Sequence, residues 1–242
     1  MASMPSSFVL RFRFPCARVE NLALDKIVPE LLDEKYSVPV WYNAERFNAW
    51  RTRDGAVPEA APRGSKNEKL FDFRIGWADE ALCMTVVVTG KKEQPFWRLS
   101  ELDDADVLRI CFDTRDLRVS RRANRYCCKF AFYPFIGDSE KKAKPFAQWI
   151  PIARAKEAAN PVDVKTIAMA SKRRKDGYAM SVVIPAASLG GFHPISFNRF
   201  GMHYAARDSE HGVFALQHHD PIPYEDDPSL WSSFEMEGAL TV

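Results

Sequence analysis

Short runs of alternating apolar and polar residues recur along most of the chain, with turn residues between them. Residues 69–77 (KLFDFRIGW) and 81–89 (ALCMTVVVT) flank the turn Ala78-Asp79-Glu80, which is the pattern of a β-hairpin. Alternation with a period of two places successive side chains on opposite faces of a strand. Further runs predict strands at 8–14, ending at Pro15, and at 106–113, 125–134, 163–170, 177–184, 199–206, 212–217 and 230–236.

The number and spacing of these runs predict an all-β architecture. About ten short strands with frequent turns are typical of a two-sheet antiparallel β-sandwich of the immunoglobulin-like kind. Little helix is expected: a short one near 25–35 and one helical turn between Pro185 and Gly191. We expect a single domain over residues 1–242, in which 1–66 form an N-terminal strand and loop extension and 67–242 form the core.

Charge and hydropathy argue against two classes of partner. The net charge of +2 gives no reason to expect nucleic acid, and the basic run at 172–175 is interpreted as a solvated hairpin tip. No apolar run approaches the roughly 18 residues of a spanning helix, so no membrane partner is expected. Arg11 and Arg13 interrupt what would be the apolar part of a signal peptide, so a cytoplasmic location is expected.

The residues that most often perform catalysis or bind metals are not arranged for either role. The five cysteines lie in apolar runs without a CxxC pair, so we expect reduced core residues. His218-His219-Asp220 suggests a metal ligand set, but adjacent strand residues point to opposite faces. No nucleophile–histidine signature is present. We therefore expect no catalytic residue, no metal and no cofactor.

The stretch DVLRICFDTRD, from Asp106 to Asp116, has acids at both ends of an apolar middle. Asp106 and Asp113 are seven residues apart, which is about 23 Å in an extended strand. A glycosidase pair needs carboxyls about 5–10 Å apart, so these two acids cannot serve one reaction. We interpret them as the ends of a buried strand, with 113–116 forming either a self-paired turn or a cation-binding turn.

Five stretches, in this order, resemble motifs of the family 9 carbohydrate-binding modules and of related DOMON-like sandwiches. They are Trp77–Leu82 beside W-D-D-x-x-L-Y, Asp106–Asp113 beside D-x-V-E-I-x-I-D, Gly177–Pro185 beside G-Y-x-x-E-x-x-I-P, Gly201–Asp208 beside G-x-x-x-x-x-x-D, and Asp227–Trp231 beside D-P-x-x-W-G-x-L. The resemblance covers about residues 70–236. It is closest to a bacterial branch, without an assigned activity, whose members carry I-D-T-R-D.

The resemblance implies where a sugar would bind, because the apolar face of a pyranose stacks on aromatic rings. The family's clamp positions imply Trp97, displaced by an insertion, and Tyr224. Arg109 stands where the family strand has Glu, and this implies a preference for an anionic ligand. The following strand adds two donors and a polar loop over 135–161 adds one aromatic residue; these are Arg125, Lys129 and Trp149.

The resemblance implies noncatalytic binding of a saccharide or a saccharide-like ligand. One alternative is a protein-interaction or scaffold domain that keeps the sandwich and lacks the sugar clamp. A second alternative is haem binding, as in DOMON-like cytochrome domains with Met and His axial ligands. Met202 and His203 are neighbours on a predicted strand and are poorly placed to hold one haem. The oligomeric state does not follow from the sequence.

Overall fold

The computed structural model describes residues 12–24, 26–40, 42–43, 70–159, 162–217 and 222–239. Within these ranges the chain forms thirteen strands and no α-helix, and no helix could span a membrane. The strands are Arg13–Arg18 (β1), Ser37–Val38 (β2), Tyr42–Asn43 (β3), Phe71–Ala78 (β4), Ala81–Val88 (β5), Val107–Asp113 (β6), Cys127–Ile136 (β7), Lys144–Ile150 (β8), Ala168–Arg174 (β9), Gly177–Pro185 (β10), Arg199–Asp208 (β11), Gly212–Ala215 (β12) and Ser232–Met236 (β13).

The helical content is limited to single turns of 3-10 helix. They are Glu34–Tyr36, Leu99–Glu101, Glu140–Lys142, Val164–Thr166, Ala186–Ser188 and Pro228–Leu230. The turn expected after Pro185 is confirmed. The short helix expected near 25–35 is wrong for the described residues, apart from the turn Glu34–Tyr36, because side chains of β4 and β5 bind the backbone there. Thr85 Oγ1 accepts from Leu32 N, and Arg74 Nη1 donates to Leu32 O.

Six of the seven predicted strands of eight or more residues are confirmed to within two residues at each end; they are β4, β5, β6, β7, β10 and β11. β9 begins five residues later than expected. Lys172, Arg173 and Arg174 therefore belong to the strand, and the hairpin tip is the two-residue turn Lys175-Asp176. The predicted residues 8–11 and the domain boundary near residue 66 lie outside the described residues.

The polar loop predicted over 135–161 is wrong in its centre, where β8 pairs antiparallel with β7. Trp149 lies opposite Phe130 in this ladder. The strand was missed because Pro145 and the polar Lys144 and Gln148 interrupt its alternation. Proline is tolerated there because β8 ends the strand order and pairs only with β7.

The strands follow one continuous path, β8-β7-β6-β11-β13-β1-β4-β5-β10-β9, which bends nearly into a barrel. β1 joins the two halves of this path. Its first part, Arg13–Cys16, pairs with β13, and its last residues, Ala17 and Arg18, pair with β4. Near the two ends of the path, Ser171 Oγ on β9 donates to Pro134 O on β7 at 2.7 Å. The mostly antiparallel strand architecture is confirmed, whereas an immunoglobulin-like arrangement stays a prediction.

β1 is the exception to antiparallel pairing, because it runs parallel to both of its neighbours. It also continues through Pro15, where the predicted strand ended. The carbonyls of Phe12 and Cys16 accept from Ser233 and Glu237, so the nitrogen of Pro15 lies on the side that needs no ladder bond. Alternation identifies a strand but carries no information on the direction of a partner more than 200 residues away.

The main core packs the inner side chains of β6, β7 and β11 against those of β4, β5 and β10. The side chains of β6 alternate between the two faces of the sheet. Leu108, Ile110 and Phe112 enter the main core, whereas Val107 and Cys111 belong to other clusters. All five cysteines are buried and free, as expected. Burial raises the pKa of Cys83 and Cys127 to about 12, so these thiols stay protonated.

The acids at the ends of β6 serve two separate structural networks. Asp106 lies 3.0 Å from the buried ammonium of Lys91, which is also 2.8 Å from Asp208. At the other end, Asp113 accepts from the backbone nitrogens of Arg115 and Leu117. The stretch DVLRICFDTRD is therefore a buried strand with structural ends, and the turn at 113–116 is self-paired.

Candidate functional site

The outer face of β6, β7, β8 and β11 points away from the main core. Four of the predicted site residues lie on or over it: Trp97, Tyr224, Arg109 and Lys129. Register fixes one row across it, in which Arg109 lies between Ala131 of β7 and Ala205 of β11, with Gln148 of β8 beyond Ala131. The two alanines leave the Arg109 guanidinium without bulky neighbours in its own row. We call this set of residues the Arg109 row.

An aromatic cluster lies on one side of the Arg109 row. Trp97 packs with Tyr133 and Phe146 around Val107. The backbone of Trp97 is held as well, since its nitrogen donates to Phe135 O and its carbonyl accepts from Gly137 N. This pairing with the end of β7 places the ring over the outer face although Trp97 belongs to no regular strand.

The segment 222–231, which we call the closing segment, lies on the other side of the row. Tyr224 stacks on His203 of β11, with ring centroids 5.3 Å apart and planes inclined by 17°. The buried Trp231 holds the segment, because its Nε1 donates to Tyr224 O at 2.6 Å. Asp227 caps the turn between them by accepting from Ser229 N.

Charged side chains connect the closing segment to the sheet. Glu225 lies 2.8 Å from the Lys129 ammonium and 3.4 Å from the Arg109 guanidinium, and Asp226 lies 3.5 Å from Lys129. Burial alone would raise the pKa of Glu225, but its bond to Lys129 and the charge of Arg109 lower it below the usual value. The two cations and two carboxylates of this contact sum to zero, so the closing segment neutralises the charge of Arg109 and Lys129.

The two aromatic groups lie toward opposite ends of the outer face. The backbone of Trp97 bridges to Ile136 of β7, whereas Tyr224 stacks on His203, which is in register with Cys111 of β6 and hence with Lys129 of β7. Lys129 and Ile136 are seven residues apart, or about 23 Å along the strand, so the face between the two aromatic residues suits an oligosaccharide rather than a single sugar. The outer face thus brings Trp97, Tyr224, Arg109 and Lys129 together.

Two predicted site residues lie elsewhere. Arg125 precedes β7 in a turn, where it pairs with Glu157 at 3.6 Å. Trp149 lies opposite Phe130 and packs against the main core, on the inner side of the sheet. Trp149 and Glu157 both line a cavity of about 350 Å³ beside the segment 150–159, where β8 ends.

Sequence reasoning missed Glu225, Gln148 and His203. The family pattern has Glu at the strand position that Arg109 occupies in this chain. Glu225 of the closing segment places a carboxylate beside that position. One sequence signal was available for it, because Glu225 directly follows Tyr224. Gln148 and His203 carry no such signal, since their places depend on strand register.

The described residues contain no group of three or more His, Cys, Asp or Glu that could hold a metal ion. The sequence His218-His219-Asp220 lies outside the described residues. Met202 is buried in the main core, whereas His203 lies on the outer face beneath Tyr224. These neighbours point to opposite sides of β11 and do not form an axial pair for haem.

No profile of a known protein family matches the sequence, and no curated protein matches it either. Solved structures do match, among them two of a family 9 carbohydrate-binding module from Caldicellulosiruptor kristjanssonii. The complex with cellotriose gives a TM-score of 0.56 at 14% identity, over 94% of this chain and 95% of that chain. The complex with glucose gives 0.53 at 14% identity, over 95% and 98%. The chain therefore has a fold like that of these modules.

Proposed function

We propose that this protein is a noncatalytic carbohydrate-binding domain that takes a saccharide on the outer face, between Trp97 and Tyr224. The observation that carries the proposal is that these two aromatic residues flank the Arg109 row on one face of one sheet. Aromatic rings bind the apolar face of a sugar, and polar groups between them select its hydroxyls. The solved modules with a similar fold, in complex with cellotriose and glucose, support this function.

Arg109 and Glu225 suit recognition of neighbouring hydroxyl groups. The guanidinium has only donors and the ionised carboxylate has only acceptors, so the pair offers both roles within one hydrogen-bond length of each other. The side chain of Arg109 is 44% exposed, which leaves donors free for a ligand. Gln148, which is exposed in the same row, adds an amide with both roles.

The ligand that we propose is a neutral saccharide. Arg109 alone led to the expectation of an anionic ligand, but Glu225 opposes its charge in the folded protein. Lys129 contacts both Glu225 and Asp226 and is mostly buried, so its role is to position the closing segment. An acidic sugar would meet these two carboxylates as well as the guanidinium.

The same contacts support a binding role without catalysis. Glu225 and Asp226 are the carboxylates of this face, and both are paired with Lys129. Because the pKa of Glu225 is lowered, this group stays ionised at neutral pH and is a poor proton donor. The wider resemblance to DOMON-like sandwiches and to a bacterial branch remains a proposal, as does a scaffold role.

Titration calorimetry with cellotriose, preceded by a glycan array, tests the function. Trp97→Ala and Tyr224→Ala should each weaken binding about tenfold to thirtyfold, as expected for the loss of a stacked ring. Phe197→Ala removes an exposed aromatic ring from a different part of the surface and should bind as the wild type does. Circular dichroism confirms that each variant is folded. Failure of the wild type to bind any arrayed glycan, or undiminished binding by both groove variants, overturns the proposal.

A further inference from the structure

One end of the molecule concentrates positive charge that the whole-chain value conceals. The segment 114–126 (TRDLRVSRRANRY) contains five arginines. Adjacent segments add three basic residues, Arg154, Lys156 and Arg199. The acidic residues at this end are Asp113, Asp116 and Glu157. This end thus has an excess of five positive charges, whereas the whole chain has a net charge of +2, so the remainder of the chain is net negative.

Contacts between these segments show that they form one surface. The Nε atom of Arg122 donates to Arg154 O at 2.8 Å. The Arg115 guanidinium lies 3.6 Å from the centroid of the Phe197 ring. Arg199 lies 3.3 Å from Asp116. We call the surface of residues 114–126, 152–157 and 190–199 the arginine-rich end.

Exposed apolar side chains accompany the arginines. Seven large apolar side chains are exposed in the described part of the chain, and four of them lie here: Leu117, Val119, Ile195 and Phe197. Val119 is 91% exposed, more than any of the other six. Isolated exposed apolar residues are ordinary, but four within one basic surface indicate contact with something that is both anionic and apolar.

We propose that the arginine-rich end docks on an anionic lipid bilayer, with Leu117 and Val119 entering the interfacial layer. A bilayer offers phosphate groups and an apolar phase side by side, which matches arginines next to aliphatic side chains. Arginine can keep its charge among the headgroups while its stem lies along apolar groups. Nucleic acid fits less well, since Arg115 already covers one face of the exposed Phe197 ring.

Docking in this way would leave the Trp97 end of the sugar-binding face free. β7 begins near the arginine-rich end at Cys127 and finishes at Ile136, the residue that bridges to Trp97. A ten-residue strand is about 33 Å long. The aromatic cluster around Trp97 would therefore stand well away from the lipid, and one molecule could hold a saccharide near a membrane surface.

Co-sedimentation with vesicles tests the docking surface. We expect the protein to bind phosphatidylcholine vesicles containing phosphatidylglycerol but not pure phosphatidylcholine, and added salt should release it. The double variant Arg121→Glu/Lys156→Glu should weaken binding at least about thirtyfold, at about fivefold for each basic residue lost near the surface. Both side chains are exposed, and neither forms a hydrogen bond or an ion pair with a described residue, so folding should be unaffected.

The matched control is Lys141→Glu/Lys142→Glu, which makes the same charge change in the turn that follows β7 and should leave vesicle binding intact. Val119→Ser separates lipid from a soluble polyanion, because it should weaken vesicle binding and leave retention on heparin unchanged. Absence of sedimentation, equal sedimentation with neutral vesicles, or an undiminished double variant overturns the proposal. Retention on heparin without vesicle binding assigns the surface to a soluble polyanion and overturns it as well.

Discussion

The Lys129 ammonium lies 2.8 Å from the Glu225 carboxylate and so joins β7 to the closing segment. Burial alone would lower the pKa of Lys129, but the bond to Glu225 and its charge raise that pKa above the ordinary value. Both groups therefore stay charged at neutral pH. The pair holds Glu225 next to Arg109 and holds its neighbour Tyr224 on the outer face.

The first prediction concerns the charge of the outer face. Glu225→Gln keeps the shape of the side chain but leaves Arg109 and Lys129 opposed by Asp226 alone. The affinity for a uronic-acid oligosaccharide should rise severalfold relative to cellotriose, as measured by calorimetry at low salt. Glu20→Gln, an exposed acid-to-amide change, is the control. An unchanged ratio of the two affinities would show that Glu225 does not set ligand charge.

A second prediction concerns the buried cation Lys91. Its side chain is 1% exposed and contacts Asp106 and Asp208 at 3.0 and 2.8 Å. Lys91→Met leaves two buried carboxylates without their cation and should lower the free energy of unfolding by about 3–5 kcal/mol. Urea denaturation measures the change. Lys92→Met, at the exposed neighbouring side chain, should change stability little; a loss at Lys91 no larger than at Lys92 would contradict the prediction.

The third prediction is the pH dependence that Asp106 confers. Burial raises the pKa of Asp106 to about 6 from 3.8, and the charge of Asp208 adds to the rise. The folded protein therefore keeps a proton that the unfolded chain releases at lower pH. The contribution of Asp106 to stability is thus greatest below about pH 4 and declines as the pH rises to about 6. Asp208, whose pKa is lowered, acts in the opposite sense, with stability lost as the pH falls through its folded value.

Asp106→Asn should remove the pH-dependent contribution of Asp106 and leave that of Asp208. The stability of the variant relative to the wild type should therefore increase between about pH 4 and pH 7, as followed by urea denaturation. Asp104→Asn, an exposed change two residues away, should give a difference that does not vary with pH. A constant offset for Asp106→Asn would mean that Asp106 binds its proton equally in the folded and unfolded chains.

A fourth prediction compares two glycines with positive φ. Gly177 follows the β9–β10 turn with φ of 154°, and a Cβ atom there would lie 2.0 Å from Val88 O. Gly238 has φ of 76° with no atom within 4 Å of an added Cβ. Gly177→Ala should cost at least about 3 kcal/mol, and Gly238→Ala about 1 kcal/mol. Thermal or urea unfolding distinguishes them, and equal losses would refute the steric account.

The strands of this protein were largely predictable because alternation is a local signal. β4, β5, β6, β7, β10 and β11 each show the period of two or a bounded apolar run, and each is confirmed. β8 was not predictable, since Pro145 and Gln148 interrupt an edge strand that pairs on one side only. The parallel direction of β1 is likewise a property of its distant partners.

The candidate site divides in the same way. Trp97, Tyr224 and Arg109 could be selected from their places relative to the motifs, and Lys129 from the strand that follows; the structure brings all four to one face. Arg125 was selected from that same strand and Trp149 as an aromatic residue of a polar loop, but Trp149 packs toward the main core and Arg125 pairs with Glu157 at the arginine-rich end. A shift of one residue in register would reverse the face of Trp149, and no local pattern records that register.

Strand content, the burial of the cysteines and the structural role of the acids at the ends of β6 follow from local patterns, because each depends on alternation or on neighbouring residues. The three-dimensional fold is what places Glu225, 116 residues away along the chain, where it opposes the charge of Arg109. It also decided that arginines from three segments gather at one end. Such pairings form when strands distant in sequence come into register, and the Coulomb energy that they contribute depends on that final separation.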